Sequence, residues 1–388
     1  MGIRRADRLL RLPPYLFVEI DRQRKHALES GRDVIDFGIG DPDCPTPAFI
    51  VDRMVEAVRD AGNHRYPLGR GMAEFRRAVA DFLGRRFGIR LDPQTEIVTL
   101  IGSKEGLGHL PLAVVDPGDI VLIPDPAYPV YTGGATLAGG VCHRFPLSAR
   151  NGWLPVLDEI PLEVRAQAKL MFLNYPNNPT AACASLSFFE KVVEFAREYE
   201  ILIAQDAAYS EVHFGDRPVS ILQVEGAKDV CVEFHSLSKT FNMTGWRVGF
   251  AAGNADALDA LVSVKDNIDS GVFDAIQHAG VEALRGIDHP DVQRQSARCR
   301  RRRDVLVTGL RSAGWEVETP EATFYVWAKC PSGYDSMKVA SRILEEADVV
   351  VIPGVGFGEC GEGFVRFALT VGEDKVREAV RRIARIAW

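Results

Sequence analysis

The sequence is poor in cysteine and contains no long run of apolar residues. Its seven cysteines are scattered, and no two of them form a C-x-x-C pair. That pattern gives neither zinc-ligand spacing nor a disulfide framework. Free thiols are typical of the reducing cytoplasm, where we expect the protein. The opening stretch, MGIRRADRLLRLPPYLF, has no long apolar core and no small-residue cleavage site, so we expect no signal peptide and no membrane span.

An excess of positive charge is also absent. The 388 residues include 46 basic and 53 acidic ones, which gives a formal net charge of −7. Such a balance offers no electrostatic reason to bind nucleic acid or an anionic membrane. One basic run, residues 298–303, is typical of a solvated helix face. With 46% hydrophobic residues, the chain has the composition of a folded globular protein.

Short apolar runs alternate with helical stretches from about residue 95 onward. Buried strands that alternate with helices indicate a mainly parallel sheet covered by helices on both faces. In such α/β sheets the active site gathers at the carboxyl ends of the strands. The predicted strands are 97–101, 120–123, 170–173, 201–204, 230–234 and 248–251, with a clear amphipathic helix at 187–199.

The last 90 residues have a different pattern. A long helix over 292–313 precedes three strand-like segments, TFYVWAKC, VVVIP and FVRFALT, with further helices between and after them. This α+β pattern predicts a second domain, and the N-terminal segment with its helix at 17–30 is expected to join it. We therefore expect a large domain at 46–287 and a small domain formed by 1–45 and 288–388.

Lys239 stands in the segment SLSKTFNMTGWRVG, directly after a predicted buried strand. A lysine at the active edge of a sheet can form a Schiff base once its amine is deprotonated. Ser236, Ser238 and Arg247 of the same segment offer donors for a phosphate. In isolation, however, a lysine in a serine-rich loop is usually a surface residue, so its interpretation depends on the rest of the chain.

Four other segments place suitable side chains beyond predicted strands. The segment GSKEG opens a helix after a strand, and a helix N-terminus attracts anions. Asp206 ends a strand one turn before Tyr209, where a carboxylate can hold a pyridine nitrogen protonated; a helix N-cap is the ordinary alternative. Tyr128 in DPAYPVY can stack on a ring, and NYPNNPT by itself is a tight turn.

Arg366, in the predicted strand FVRFALT, presents two parallel donors that match a carboxylate. An exposed arginine on an edge strand is the ordinary alternative. Five elements of suitable chemistry at or just beyond strand ends, however, are much harder to attribute to chance than any one of them.

The motifs together resemble the class I/II aminotransferases of pyridoxal-phosphate (PLP) fold type I. The likeness runs from about residue 10 to the C-terminus and includes RYPLGRGMAEFR, GSKEG, PDPAYPVY, NYPNNPT, QDAAYSE, SLSKTFNMTGWRVG and FVRFALT, in the family's order. It implies a large α/β/α domain with a mainly parallel sheet and a smaller α+β domain. It also implies PLP as the cofactor, an amino acid and a 2-oxo acid as small-molecule substrates, and a homodimer.

Several phrases resemble the LL-diaminopimelate aminotransferase subgroup, among them LPPYLF, LIGSKEGLGHLPLA and NYPNNPTAACA. Ala181 follows NPT where most of the family has glycine, and the subgroup shares this departure. The resemblance implies a ping-pong reaction in which LL-2,6-diaminopimelate donates its amine and 2-oxoglutarate accepts it. Relatives that act on alanine, aspartate or N-succinyl-diaminopimelate carry similar motifs, and a PLP-dependent C–S lyase would share the fold and cofactor.

The resemblance also assigns roles by motif. Lys239 resembles the Schiff-base lysine, Asp206 the partner of the pyridine nitrogen, and Tyr209 the partner of the ring hydroxyl, which Asn178 also reaches. Tyr128 resembles the stacking aromatic. The residues that resemble the phosphate site are Ser103, Lys104, Ser236, Ser238 and Arg247, with Tyr66 reaching the phosphate of a partner subunit.

For the substrate, Arg366 resembles the clamp on the α-carboxylate, with the Gly40 backbone nearby. Tyr15, Asn267 and Ser270 are candidates for the distal end of the substrate, and local packing or capping is an equally good interpretation of each. A PLP-dependent regulator with an added DNA-binding domain is the alternative outside enzymology. We do not expect it, because the likeness starts near residue 10 and the net charge is negative.

Overall fold

The computed structural model describes residues 2–12, 16–67 and 69–388. The helices are α1 (Asp7–Leu10), α2 (Leu16–Glu29), α3 (Ala48–Arg59), α4 (Ala73–Phe87), α5 (Ser103–Val114), α6 (Val130–Ala138), α7 (Leu162–Arg165), α8 (Leu186–Glu198), α9 (Ala227–Val230), α10 (Leu237–Thr240), α11 (Ala255–Ile268), α12 (Asp274–Arg285), α13 (Pro290–Ser312), α14 (Ser336–Ala347) and α15 (Glu373–Ile383). The strands are β1 (Ile35–Asp36), β2 (Ile97–Leu100), β3 (Ile120–Asp125), β4 (Val141–Pro146), β5 (Ala168–Asn174), β6 (Leu202–Asp206), β7 (Cys231–Ser236), β8 (Gly249–Gly253), β9 (Tyr325–Lys329), β10 (Val349–Val350), β11 (Ile352–Pro353) and β12 (Phe364–Ala368).

The helix α8 shows how the local sequence produces these elements. The Ser185 side chain accepts a hydrogen bond from the Phe188 amide and so caps the first turn. Phe189, Val192 and Ala196 recur at helical spacing, and all three are buried. Each large apolar side chain of such a stripe contributes about 1.5–3 kcal/mol when it leaves water, which holds the helix against the sheet.

A seven-stranded sheet organises the larger part of the chain, in the order β2-β8-β7-β6-β5-β3-β4. Its neighbouring strands are parallel except where β8 pairs antiparallel with β2 and with β7. Along β5, Leu170 and Phe172 lie in one hydrophobic cluster while Met171 and Leu173 lie in another. Because successive side chains point to opposite faces, the sheet is covered on both sides, which confirms the predicted α/β architecture.

This topology brings the polar strand ends to one edge of the sheet. Asn174 ends β5, Asp206 ends β6 and Ser236 ends β7, and the three strands run in the same direction. The strand β8 runs the opposite way, so its first residues, which follow Arg247, lie at that same edge. The predicted convergence of these segments is therefore confirmed.

A second, three-stranded antiparallel sheet has the order β11-β12-β9. The N-terminal strand β1 pairs parallel with β10, so residues 35–36 join residues 349–350. Ile35 and Phe37 also belong to the same hydrophobic cluster as Val349 and Val365. These contacts bring the two ends of the chain together, and the small domain with bounds at 45/46 and 287/288 stays a prediction.

The basic run at 298–303 is only partly solvated, and the prediction for it was wrong at Arg302. This side chain is 4% exposed and forms a bidentate pair with Asp43, with nitrogen–oxygen distances of 2.8 and 2.7 Å. It also donates to the Leu369 carbonyl oxygen at 3.0 Å. Periodicity alone did not reveal the partner, because Asp43 lies 259 residues away in the chain. Within the described ranges, no helix is both long and apolar enough to cross a membrane.

Candidate active site

A cavity of about 390 Å³ opens at the polar edge of the large sheet, facing β12 and the segment around Gly40. It brings together twelve of the residues that the sequence predicts for the site. They are Gly40, Ser103, Lys104, Tyr128, Asn178, Asp206, Tyr209, Ser236, Ser238, Lys239, Arg247 and Arg366.

One end of the cavity is rich in hydrogen-bond donors. The helix α5 starts there at Ser103 after Gly102, and no side chain in the described part of the chain caps its first turn. The N–H groups at the start of this turn and the positive end of the helix dipole attract an anion. Arg247 lies opposite with φ +55°, in the left-handed region, and a Cβ at position 102 would collide with its guanidinium. The glycine at 102 therefore leaves room for the arginine.

A network of charged side chains lies next to the first turn of α5. Lys265 is fully buried, and its Nζ lies 2.7 Å from Glu105 Oε2 and 3.3 Å from the Asp269 carboxylate. Glu105 Oε2 also accepts a 3.0 Å hydrogen bond from the Ile101 amide. Burial would raise the pKa of Glu105, but hydrogen bonds from His109 and Lys265 and the lysine charge lower it below its ordinary value. The sequence reading missed this network, which joins residues far apart in the chain.

Lys239 lies in the middle of the cavity wall, in the single turn α10 that follows β7. Its Nζ donates a 2.8 Å hydrogen bond to the Gly40 carbonyl oxygen. Burial lowers the pKa of this amine from 10.5 to about 8, and the charges of Arg247 and Arg366 act in the same direction, against those of Asp41 and Asp206. A lysine with this pKa is partly neutral near pH 7.5, as a nucleophile or base requires.

Asp206 faces the cavity from the end of β6 and is 4% exposed. Burial raises its pKa to about 6, while hydrogen bonds from the Tyr131 hydroxyl and the Ala208 amide act in the opposite direction. The Tyr131 oxygen lies 2.8 Å from Asp206 Oδ2, and Tyr131 is itself fully buried on α6. The carboxylate is thus fixed in place by a residue that the sequence analysis did not single out.

Arg366 approaches from the other side, on the central strand of the small sheet rather than on an edge strand. It is 3% exposed, and it donates to Asn178 Oδ1 at 2.8 Å and to the Gly38 carbonyl oxygen at 2.7 Å. Its guanidinium lies 4.2 Å from the ring centroid of Tyr325 and 4.8 Å from that of Phe357. Two oxygen acceptors and two aromatic rings thus hold the buried guanidinium of Arg366 in the wall of the cavity.

Three of the remaining predicted residues, Tyr66, Asn267 and Ser270, are not among the described residues that line this cavity. Tyr66 is 85% exposed, which leaves its predicted contact with a partner subunit untested. The Asn267 amide donates to the Ser263 carbonyl oxygen within α11, and Ser270 sits just past that helix with φ +61°. Tyr15 lies outside the described residues. The predicted roles of these four residues in binding stay predictions.

Six described lining residues of the cavity were not predicted from the sequence, and Tyr325 and Asn174 are the two of them with informative contacts. Tyr325 starts β9, is 3% exposed, and has its hydroxyl 3.0 Å from the Tyr209 hydroxyl. Asn174 donates to the Asp206 carbonyl oxygen at 2.8 Å and accepts from the Asn178 amide at 2.7 Å, so it ties the ends of two strands together. The signal for Asn174 was present in the NYPNNPT motif, whereas nothing local distinguished Tyr325.

The chain shares its fold with several solved structures, aminotransferases among them. Substrate-bound BacF from Bacillus subtilis has a TM-score of 0.95 at 37% identity, over 99% of this chain and 98% of that one. A probable N-succinyldiaminopimelate aminotransferase from Thermus thermophilus gives a TM-score of 0.90 at 36% identity, over 95% of this chain and 99% of its own. The chain therefore has the fold type I of PLP-dependent transferases.

The sequence comparisons define the family. The model of aminotransferase class I and II matches residues 32–383, and the chain belongs to that family. It is 52% identical over 386 residues to the LL-diaminopimelate aminotransferase of Moorella thermoacetica, with 98% of both chains covered. The family resemblance predicted from the motifs is thus confirmed.

The cofactor of this family is PLP, and the cavity residues fit its chemistry. A phosphate needs several donors and positive charge, which the start of α5, Ser236, Ser238 and Arg247 supply at one end. A pyridine nitrogen needs a carboxylate, which Asp206 offers, and an aldehyde carbon needs a neutral amine, which Lys239 offers. The described residues therefore present each type of group that PLP requires within one cavity.

Proposed function

We propose that this protein transfers the amino group of LL-2,6-diaminopimelate to 2-oxoglutarate by a ping-pong mechanism. The observation that carries the reaction type is the arrangement of Lys239, Asp206 and Arg366 around one cavity, with a lysine pKa lowered to about 8. The substrate choice rests on the relative of that name that is 52% identical along nearly the full length.

We assign the cofactor contacts residue by residue. Ser103, Lys104, Ser236, Ser238 and Arg247 hold the phosphate, and these donors neutralise a dianion. On the ring side, Asp206 pairs with the pyridine nitrogen, Tyr209 and Asn178 with the ring hydroxyl, and Tyr128 stacks on the ring. When bound, PLP supplies an electron sink for the negative charge that develops at the substrate Cα.

Lys239 acts as the base in this proposal. In its neutral form the Nζ takes the proton from the substrate Cα, and its lowered pKa keeps a useful fraction neutral at physiological pH. Gly40 accepts a hydrogen bond from this nitrogen, which orients the amine in the cavity. The same nitrogen returns the proton in the second half-reaction, when the oxo acid takes the amine.

Arg366 holds the substrate α-carboxylate by two parallel hydrogen bonds, and the Gly40 backbone lies beside it in the cavity. Fixing the carboxylate places the Cα–H near the lysine, which is catalysis by orientation. Because amino acid and oxo acid both carry this carboxylate, one arginine serves both half-reactions. Asn178 Oδ1 and the Gly38 carbonyl oxygen hold the guanidinium in position for this contact.

We propose a cytoplasmic homodimer with two shared active sites. The proposal of a dimer rests on Tyr66. This side chain is 85% exposed in the single chain, and its motif assigns it to the cofactor phosphate in a partner subunit. Sedimentation at assay concentration tests the assembly, and a fully active monomer would contradict it. Tyr66→Phe should weaken PLP binding without dissociating the dimer, because it removes the hydroxyl and leaves most of the apolar contact.

An N-succinyl-diaminopimelate aminotransferase is a second candidate, favoured by the structural neighbour from Thermus thermophilus. The two candidates differ at the far end of the substrate, which is a zwitterion in diaminopimelate and a neutral amide beside a carboxylate in the succinylated compound. A coupled assay decides between them, with LL-diaminopimelate, its meso isomer, N-succinyl-LL-diaminopimelate, aspartate and alanine as donors to 2-oxoglutarate. The proposal predicts the highest kcat/KM for LL-diaminopimelate, and a higher value for any other donor would contradict it.

A further inference from the structure

Tyr325 touches groups from three walls of the cavity. Its hydroxyl lies 3.0 Å from the hydroxyl of Tyr209, and its ring centroid lies 4.2 Å from the guanidinium carbon of Arg366. A Cβ at position 40 would collide with the Tyr325 oxygen, so Gly40 packs directly against it. One side chain therefore contacts a residue assigned to the cofactor, a residue assigned to the substrate, and the backbone that holds Lys239.

The surroundings fix this side chain rather than leaving it free to rotate. Tyr325 is 3% exposed, and its ring packs edge-on against Tyr209 with centroids 5.5 Å apart. Its backbone amide donates to the Thr323 hydroxyl at 3.0 Å, at a residue with φ +65°. In the sheet it lies opposite Ala368 of β12, whose small side chain leaves room for the ring.

Either Tyr209 or Tyr325 can donate the hydrogen bond between their hydroxyls, and the choice decides what Tyr209 offers to the cavity. Each phenol has one proton to donate and can also accept. Within the described part of the chain, the Tyr325 hydroxyl has one hydrogen-bond partner, Tyr209. If Tyr209 gave its proton to Tyr325, it would offer only lone pairs to the cavity. If Tyr325 donates instead, the Tyr209 proton stays available for an oxygen in the cavity.

The contact with Arg366 favours the second arrangement. A guanidinium over the face of an aromatic ring draws on the electron density of that ring. That polarisation makes the phenolic O–H of Tyr325 the better donor of the pair. The hydrogen bond from Tyr325 in turn polarises the Tyr209 hydroxyl and strengthens it as a donor, since linked hydrogen bonds reinforce each other.

We propose that Tyr325 is a positioning residue. Its hydroxyl donates to Tyr209, so that Tyr209 donates into the cavity, and its ring packs against the guanidinium of Arg366. This inference rests on the proposed function, in which Tyr209 donates to the ring oxygen of PLP. Tyr325 therefore couples the cofactor side of the cavity to the carboxylate side. Its hydroxyl acts through Tyr209, and its ring acts through Arg366.

The two parts of the side chain can be tested separately. Tyr325→Phe keeps the ring under Arg366 and removes only the hydroxyl. With Tyr209 a weaker donor, more negative charge remains on the cofactor oxygen, and the cofactor holds its proton to a higher pH. The pH midpoint of the visible absorbance change of the PLP-loaded protein should therefore rise by roughly 0.2–0.6 pH units, with KM changed less than about twofold. Tyr325→Leu should in addition raise KM for donor and acceptor alike.

A double variant shows whether the effect passes through Tyr209. Tyr209→Phe should raise the midpoint by itself, and Tyr209→Phe combined with Tyr325→Phe should shift it no further, since coupled residues are not additive. Tyr175→Phe is the matched control. That tyrosine is also 3% exposed, and its hydroxyl donates to the Trp153 carbonyl oxygen at 2.7 Å, so its loss should not move the midpoint.

The outcomes separate this inference from the proposed function. Additive shifts in the double variant, an unchanged midpoint in Tyr325→Phe, or an equal shift in the Tyr175→Phe control would each overturn the role of Tyr325. If Tyr209→Phe shifts the midpoint in the same series, the assignment of Tyr209 to the cofactor stands regardless. An unshifted midpoint in Tyr209→Phe would overturn both the inference and the assignment of Tyr209. A wild-type protein that takes up no PLP would contradict the proposed function itself.

Discussion

The hydroxyl of Tyr131 donates a 2.8 Å hydrogen bond to Asp206 Oδ2, and both side chains are buried. Tyr131 is on α6 and Asp206 at the end of β6, so the bond joins a helix that covers the sheet to the edge that carries the chemistry. The bond opposes the effect of burial, which raises the Asp206 pKa to about 6. It therefore helps to keep this carboxyl ionised at neutral pH.

The first prediction follows from that bond. Tyr131→Phe removes a hydrogen bond to an ionised acceptor, worth about 1.5–3 kcal/mol, and should raise the Asp206 pKa further by about one to two pH units. Fewer molecules then hold an ionised Asp206 at pH 7, so the Kd for PLP should rise about two- to tenfold. Titration of the apoprotein with PLP measures this. The difference in Kd between the variant and the wild type should disappear by about pH 9, where Asp206 is ionised in both proteins. An increase in Kd that does not depend on pH would indicate a packing defect instead.

A second prediction concerns the carboxylate clamp. Loss of one partner of a desolvated charge pair costs roughly 2–5 kcal/mol, so Arg366→Ala should lower kcat/KM by about thirty-fold to several thousand-fold. Steady-state kinetics should show the loss for donor and acceptor alike, because both carry the α-carboxylate. Asn267→Ala should instead change the preference between diaminopimelate and shorter donors. The reverse pattern would mean that the α-carboxylate site and the distal site have been exchanged.

The third prediction uses the pH dependence of apoprotein stability. Burial lowers the Lys239 pKa to about 8 in the folded state, against 10.5 ordinarily. Below about pH 8 the amine is charged in both states, and the folded state bears the full cost of burying it; above about pH 10.5 the amine is neutral in both and the cost vanishes. Lys239→Met should therefore stabilise the apoprotein at pH 7, by up to about 3 kcal/mol, and less at pH 10.

Urea unfolding of the PLP-free proteins at pH 7 and pH 10 measures this difference. Lys265→Met is the matched control, because it removes a fully buried lysine whose Nζ lies 2.7 Å from Glu105. It should destabilise the protein, since it removes the positive charge that lies between two largely buried carboxylates, Glu105 and Asp269. A gain from Lys239→Met of equal size at both pH values would show that the stabilisation does not come from the amine's charge.

The sequence predicted most of the sheet and most of the site for one physical reason. Apolar runs mark buried strands, and the polar residues that follow them meet at one edge because parallel strands end together. Asp206, Lys239 and Arg247 are assigned to that edge by the sequence alone. The strand predicted at 248–251 was found as β8, although its antiparallel direction was not predictable from composition.

The residues that the sequence did not predict are those whose role depends on a distant partner. Tyr325 and Tyr209 are 116 residues apart, and Arg302 and Asp43 are 259 apart. Local periodicity assigns such residues to a strand or to a helix face but does not identify the partner. For Arg302, four arginines and a cysteine as neighbours favoured a solvated face, and only the folded chain revealed the buried pair.

The central claim is that Lys239 is the residue that binds PLP covalently, and borohydride reduction followed by peptide mapping tests it most directly. Reduction of the PLP-loaded protein should fix the cofactor to the peptide that contains Lys239 and to no other. Lys239→Ala should still bind PLP through the phosphate donors, lose nearly all turnover, and show no labelled peptide. Label on another lysine of the wild-type protein, or equal labelling of Lys239→Ala, would contradict the account.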